Sequence, residues 1–339
     1  MIWTLVASVM LAPPSLDAPK GFVPGSAEDR VVTVGQETRS FRLFVPSGWS
    51  RPAPAIFVFH GEGGTPDTIQ NYAKLDPMAD DRGFVLIYPK GEGKNWNYDS
   101  GAPIVRNRGF ASFTRRDGLD PEMDRRFDDV AMVRAIVREL AAEGLIDSSR
   151  VFATGISSGA MFCHRLAADA SDVVAGVAPV SGAMTDVVAG RFDPPHPVSL
   201  MAIIGEDDPL MPVGGGPIAG LLPQDRGRVA PADETIAAYL AANGITGEPE
   251  VTTLPDRPED DDTTTRVYSY PPGEGGTLVE IYRIEGAGHN WPGKPSNYHV
   301  EMVGKTSQDF DGSAAVLSFF DRCPPKQLPL EMPELGGGQ

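Results

Sequence analysis

Apolar residues along this chain fall into two kinds of run. Residues 30–45 (RVVTVGQETRSFRLFV) alternate apolar and polar positions around a Gly-Gln-Glu turn, which predicts an antiparallel hairpin. Residues 55–59 (AIFVF), 84–88 (FVLIY), 150–153, 174–179 and 199–204 are short apolar runs, as in strands buried on both faces. Residues 68–82, 128–143 and 233–243 carry helical spacing. In the second of these, Val130, Val133, Ile136, Val137 and Leu140 form one stripe. Residues 264–270 and 277–284 predict a late strand pair, and 312–322 a last helix. Residues 89–125 show little periodicity and many Gly, Asn and Arg, and predict a long loop. No internal repeat is present. The alternation of buried strands and helices predicts an α/β domain over 30–322. Its central sheet is mostly parallel, helices cover both faces, and the hairpin adds an antiparallel edge.

Composition sharpens this picture. A length of 339 residues fits one large α/β domain or two small ones. Hydrophobic residues at 41% and charged residues at 22% exclude wholesale disorder. Gly (38) and Pro (32) imply many tight turns. A net charge of −17 leaves no phosphate-tracking surface, which argues against a nucleic-acid partner. Two cysteines, Cys163 and Cys323, make neither a disulfide framework nor a Cys-rich zinc site, and whether they bridge is open. Residues 2–12 form an apolar run too short to span a bilayer but of signal-peptide length. No Lys or Arg precedes Lys20, so an upstream start or an ordinary buried segment is the alternative. Residues 1–19 are read as a signal peptide or leader, which implies a secreted or periplasmic protein. No later segment is apolar enough to span a membrane. The acidic run 255–262 lacks the spaced ligands and glycine of a calcium loop and reads as a solvated loop. The Pro/Gly-rich stretch 323–339 reads as a disordered tail.

The chemistry concentrates at four places. Gly155-Ile156-Ser157-Ser158-Gly159 follows a strand and precedes an apolar helix, the context of a nucleophile elbow. Its glycines suit a sharp turn in which backbones approach too closely for side chains. An acid and then a histidine must follow in chain order. Of five histidines, His60 precedes the serine, His164 lies on the same helix, and His196 sits in a Pro-rich loop. His289, just past the last strand in Gly-Ala-Gly-His-Asn-Trp, is favoured over His299. Residues 199–204 are followed by Glu206, Asp207 and Asp208; spacing leaves both aspartates open, with the glutamate less suited. His60-Gly61-Glu62-Gly63-Gly64 follows a strand and resembles an HGGG-type loop, so backbone N–H groups there and at Ser158 would hold an oxyanion. A phosphate-cradling loop fits less well, because no Lys-Ser/Thr follows. Trp96 and Trp291 are candidate walls of a substrate cleft, with simple packing as the alternative. Asp128-Asp129 reads as a helix cap.

These stretches resemble the secreted α/β-hydrolase esterases that include polyhydroxybutyrate depolymerases and feruloyl and acetylxylan esterases. The resemblance rests on FHGEGGT (59–65), ADDRGFVLIYPKG (79–91), NWN (95–97), DDVAMVRAIV (128–137), IDSSRVFATGISSGAMFCHRLA (146–167), DDPLMPV (207–213) and GAGHNWPG (286–293). Together they span residues 59–293. The resemblance selects Asp208 over Asp207 and places the first oxyanion donor at the Glu62 N–H. Glu62 stands where the family has cysteine, and Ala160 where it more often has glycine.

The implied protein is a serine carboxylic-ester hydrolase with Ser157 as nucleophile, His289 as base and Asp208 orienting it. Glu62 and Ser158 amides form the oxyanion hole. No metal or organic cofactor is implied. The implied partner is a polymeric or oligomeric ester: feruloyl or acetyl esters of plant polysaccharide, with poly(3-hydroxybutyrate) or its oligomers as the alternative. A serine peptidase and a non-catalytic carbohydrate-binding relative are the weaker readings.

Overall fold

The computed structural model describes residues 23–49, 52–99, 128–220, 225–257, 261–296 and 298–326. The expected leader over 1–19, most of the loop over 89–125 and most of the tail over 323–339 lie outside them. The elements in chain order are β1 (Ser26–Val34), β2 (Glu37–Val45), β3 (Ala53–Phe59), α1 (Pro66–Ala73), α2 (Asp76–Arg82), β4 (Val85–Pro89), α3 (Asp129–Ala142), β5 (Ile146–Ile156), α4 (Ser158–Asp169), β6 (Gly176–Val180) and α5 (Asp186–Ala189). They continue as β7 (Ser199–Gly205), β8 (Gly216–Pro217), β9 (Arg228–Val229), α6 (Ala232–Ala242), β10 (Glu250–Thr253), β11 (Thr264–Ser269), β12 (Val279–Glu285), α7 (Val300–Val303) and α8 (Gly312–Arg322).

Ten strands form one sheet in the order β1-β2-β4-β3-β5-β6-β7-β12-β11-β10, and β8 pairs β9 in a separate ribbon. Pairs from β4 through β12 are parallel; β1, β2, β11 and β10 flank them antiparallel. This is the mostly parallel sheet with an antiparallel hairpin edge that the alternating pattern predicts. Successive residues of one strand face opposite layers. Phe57 and Phe59 of β3 join Val133, Ile136 and Leu140 of α3 and Phe162 of α4. Ile56 and Val58 join Ile69 of α1, Ala79 of α2, and Leu317 and Phe320 of α8. Each such large apolar side chain contributes about 1.5–3 kcal/mol by leaving water. Cys163 belongs to the first layer and Cys323 to the second, and both are free thiols, which answers the open question of a bridge.

The structure departs from the sequence pattern at three kinds of place. The single helix expected over 68–82 is two helices. Lys74 takes a left-handed conformation, and Pro77 has no N–H to give the Ala73 carbonyl. That carbonyl accepts the Ser313 hydroxyl of α8 instead, at 2.6 Å. The strand expected over 150–153 runs from 146 to 156. The edge strand β10, wholly exposed, and the one-turn helices α5 and α7 carry no hydrophobic period to read.

The strand order reverses around β3. From β3 the chain goes to β4 on one side, and later to β5 on the other. The C-terminal ends of β3 and β5 therefore open onto one crevice, where parallel sheets bind ligands. The 60–64 loop and Ser157 follow those two ends.

Candidate active site

The elbow is built by contact between backbones. Ser157 has φ 59° and ψ −121°, a strained conformation for a non-glycine residue. A Cβ at Gly155 would lie 2.6 Å from the Phe59 carbonyl oxygen, and one at Gly159 would lie 2.5 Å from it. Only glycine lets β3 press against both limbs of the turn. The Ser157 N–H donates to the Val180 carbonyl at 3.1 Å, and its carbonyl accepts the Met161 N–H at 3.0 Å. Ser157 is half-buried, whereas Ser158 is buried. Ala160 fits because Gly182 faces it: a Cβ on Gly182 would meet the Ala160 Cβ at 2.5 Å.

The candidate acid and base come from two loops at the ends of β7 and β12. A Cβ at Gly205 would be 2.3 Å from the Gly288 oxygen, and one at Gly288 would be 2.1 Å from the Val303 oxygen. Gly205 lets the two loops touch, and Gly288 lets the second lie against Val303. Asp208 Oδ2 then accepts from His289 Nδ1 at 2.7 Å. Asp208 Oδ1 accepts the N–H groups of Leu210 (2.8 Å) and Met211 (2.9 Å). The Asp208 side chain is 2% exposed and that of His289 8%. Among the three acids that spacing offered, Asp207 is exposed and Glu206 pairs with Arg283, so Asp208 alone meets His289. The His289 N–H donates to the Val303 carbonyl at 2.5 Å. Asn290, which sequence reasoning passed over, donates to the Gly304 (3.0 Å) and Lys305 (3.2 Å) carbonyls. Its own carbonyl accepts the Ser181 hydroxyl at 3.0 Å. Its position beside His289 in the Gly-His-Asn-Trp stretch was the available signal.

The 60–64 loop lies against the serine: a Cβ on Gly61 would stand 3.4 Å from the Ser157 Cβ. Gly63 N–H donates to the Lys94 carbonyl at 2.7 Å, and Gly64 N–H to the Gly61 carbonyl at 3.0 Å. His60 is buried beneath. Its Nε2 accepts the Gly91 N–H at 3.1 Å, so Nδ1 carries the proton and donates to the Gly61 carbonyl at 2.8 Å. Burial lowers the His60 pKa to about 4, keeping the ring neutral. The Glu62 carboxylate, 37% exposed, accepts from Arg226 Nε at 2.8 Å, and the Arg226 side chain is 8% exposed.

The cleft-wall expectation for both tryptophans is corrected. Trp96 is 4% exposed and Trp291 fully buried. Trp96 stacks on Phe162 and donates from Nε1 to the His60 carbonyl at 2.7 Å, so it supports the 60–64 loop from below. Trp291 packs against Gly312, and its backbone N–H donates to the Tyr72 hydroxyl at 3.1 Å. The reading of Asp128-Asp129 as a cap holds for Asp128, which accepts the Ala131 N–H at 2.9 Å. Asp129 is instead buried, with Arg39 at 2.6 Å and the Asn97 N–H at 2.7 Å. In the acidic segment, carboxylate oxygens of Asp256, Asp261 and Asp309 lie within 4.8 Å of one another. Asp261 and Asp309 also bind Gln308 N–H and Thr265 hydroxyl respectively, tying the loops together. A cavity of ≈ 30 Å³ beside Asp208, lined in part by His164, Ser181 and Thr235, has room for water but not for an ester substrate.

No family model matches the chain. A Nocardia uniformis subsp. tsuyamanensis protein named as the esterase NocK is 30% identical over 300 residues, covering 86% of this chain and 81% of that protein. The chain belongs to this family of esterases. Feruloyl esterase C of Emericella nidulans is 25% identical over 204 residues, 57% of this chain and 64% of that protein. Poly(3-hydroxyalkanoate) depolymerase C of Paucimonas lemoignei is 25% identical over 291 residues, 78% of this chain and 62% of that protein. The chain thus spans less than two thirds of the length of each of these two relatives. Among solved structures, the acetyl xylan esterase of Aspergillus awamori superposes with a TM-score of 0.55 at 16% identity, covering 88% of this chain and all of that one, so it shares the fold. No helix of the described residues is long and apolar enough to cross a membrane.

Proposed function

We propose that this esterase hydrolyses carboxylic esters through Ser157, His289 and Asp208, with the Glu62 and Ser158 amides as oxyanion donors. The observation that carries the reading is the 2.7 Å Asp208–His289 hydrogen bond, on the same sheet edge as the strained Ser157 turn. Asp208 holds the His289 proton on Nδ1, which leaves Nε2 as the base. Ser157 Oγ attacks the ester carbonyl as His289 takes its proton. The tetrahedral oxygen is stabilised by the two amides. Collapse expels the alcohol, protonated by His289, and leaves an acyl-serine. Water, deprotonated by His289, then releases the acid and restores the serine.

For the substrate, we infer feruloyl or acetyl esters of plant polysaccharide, supported by the likeness to feruloyl esterase C. Poly(3-hydroxybutyrate) or its oligomers is the second reading, favoured by the longer aligned span of the depolymerase, 291 residues. Secretion or a periplasmic site accompanies either polymer, and N-terminal sequencing of the mature protein tests it. The deciding experiment is product analysis on feruloylated arabinoxylan, acetylated xylan and 3-hydroxybutyrate oligomers, with Ser157→Ala in parallel. Ferulate or acetate released only by the wild type supports the first reading, and 3-hydroxybutyrate alone supports the second. Activity that survives in Ser157→Ala overturns the nucleophile.

A further inference from the structure

We propose that Arg226 is a positioning residue for the oxyanion loop, neutralising the carboxylate that Glu62 brings to it. The proposal rests on the functional reading above, in which the Glu62 amide holds the oxyanion. Glu62 is an unusual occupant there, because it puts a carboxylate on the residue whose amide is to hold the oxygen that becomes negative in the transition state. A Cβ on the next residue back, Gly61, would stand 3.4 Å from the Ser157 Cβ. Arg226 meets that carboxylate at 2.8 Å with a guanidinium that is 8% exposed.

The guanidinium is held by shape as well as by charge. A Cβ on Gly220 would stand 2.2 Å from Arg226 Cζ, so the backbone at 220 lies flush against it. The Arg226 carbonyl accepts the Tyr98 hydroxyl at 3.4 Å, and Tyr98 is itself buried close to Glu62 and Arg226. Arg226 thus arrives from the segment beyond β8, a distant part of the chain, to meet one side chain of the 60–64 loop.

A partly exposed ion pair contributes at most about 1 kcal/mol to stability. Its larger effect here is on the reaction, because the unfavourable field of Glu62 grows as the oxyanion forms. Loss of the Arg226 charge is expected to slow the reaction by about five- to thirty-fold, the size of effect that one screened charge has on a nearby developing charge. Ground-state binding of a neutral ester is little affected.

The experiment is a double-mutant cycle on the full chain, with kcat and KM measured on a soluble ester. Alongside, the Ki of a boronic acid is measured, since its serine adduct is a tetrahedral anion. Arg226→Gln is expected to lower kcat about five- to thirty-fold, leave KM within about twofold, and raise the boronate Ki by the same factor as kcat falls. Glu62→Gln added to Arg226→Gln is expected to restore both quantities to within about threefold of wild type. Arg226→Lys, which keeps the charge, should fall much closer to wild type than Arg226→Gln. The proposal is overturned if the double variant stays as slow as Arg226→Gln, which would make Arg226 a packing residue. A wild-type kcat in Arg226→Gln, or a change confined to KM, overturns it as well. Loss of the Arg226→Gln fold would leave the lysine and double variants to decide between the same outcomes. A wild type inactive on every ester overturns the functional reading first, and the inference with it.

Discussion

Replacing Asp208 by Asn should cost about 10³–10⁴ in kcat, and the structure gives the reason atom by atom. Asp208 Oδ1 accepts two backbone N–H groups, from Leu210 at 2.8 Å and Met211 at 2.9 Å. Oδ2 accepts the His289 Nδ1 proton at 2.7 Å. Asparagine has one accepting oxygen and one donating NH2. Turning the NH2 toward Leu210 and Met211 would set donors against donors in a site where the carboxylate is 2% exposed. The oxygen therefore stays on the two amides, and the NH2 faces His289. Nδ1 must then accept, so the ring proton moves to Nε2, the nitrogen that has to take the serine proton. The charge that stabilises the imidazolium is lost as well. The combined penalty is about 4–5.5 kcal/mol in the barrier. Shape is conserved, so the urea midpoint should stay within about 1 kcal/mol of wild type. The assay is steady-state kinetics on a soluble ester, with Asp207→Asn as the control. Asp207 is exposed, and its variant should stay within about twofold. If Asp208→Asn retains kcat within about tenfold of wild type, the acid has been misplaced.

Three further outcomes follow from particular contacts. Gly288→Ala would drive a Cβ to 2.1 Å from the Val303 oxygen and push the His289 loop off the 303–304 segment to which the His289 backbone N–H is bonded. It should lose about 2–4 kcal/mol of stability by thermal melting and about a hundredfold in kcat, and near-wild-type values for both would contradict the loop-contact argument. Asp129→Ala leaves Arg39, 2% exposed, without its 2.6 Å partner. A loss of about 3–5 kcal/mol in urea unfolding is expected, and a loss under about 1 kcal/mol would show that the pair is not buried in solution. Burial lowers the pKa of His60 and of His164 to about 4, against an ordinary value of 6.5. The unfolded chain then binds protons first as pH falls. Stability should be intact above pH about 6.5 and drop by about 1.4 kcal/mol per pH unit for each ring until about pH 4. Urea midpoints between pH 7 and 5 check this above the carboxylate range, and a flat profile would refute neutral burial of the two rings.

The central strands were readable because burial on both faces removes polar positions, as in Phe57–Phe59 and Val85–Ile87. The flanking strand β10 was not, since all four of its residues are exposed and its existence depends on pairing with β11. The break after α1 was hidden for a different reason. Residues 68–82 keep helical spacing across it, and what stops the helix is one missing N–H at Pro77, whose abandoned carbonyl partner is rescued by Ser313 in α8. No local pattern announces a hydrogen bond 240 residues away.

In the candidate site the same distinction applies. The elbow is a local object, so its glycines could be read as close approaches before it was known what approached. Asp208 and Asp207 are neighbours with identical side chains, and spacing alone left both open. The tertiary fold separates them: Gly205 allows the two loops to touch, and one carboxylate faces inward to His289 while the other faces solvent. The tryptophans show the reverse error. An aromatic beside a catalytic motif suggests a binding surface, yet Trp96 spends its one donor on the His60 carbonyl and its faces on Phe162 and His60. Its large ring makes the 60–64 loop rigid from the core side, while the Glu62–Arg226 pair fixes it from the outer side. The loop is therefore held by residues whose types are common and whose separation in sequence runs to 164 residues, a constellation that only the folded chain brings together.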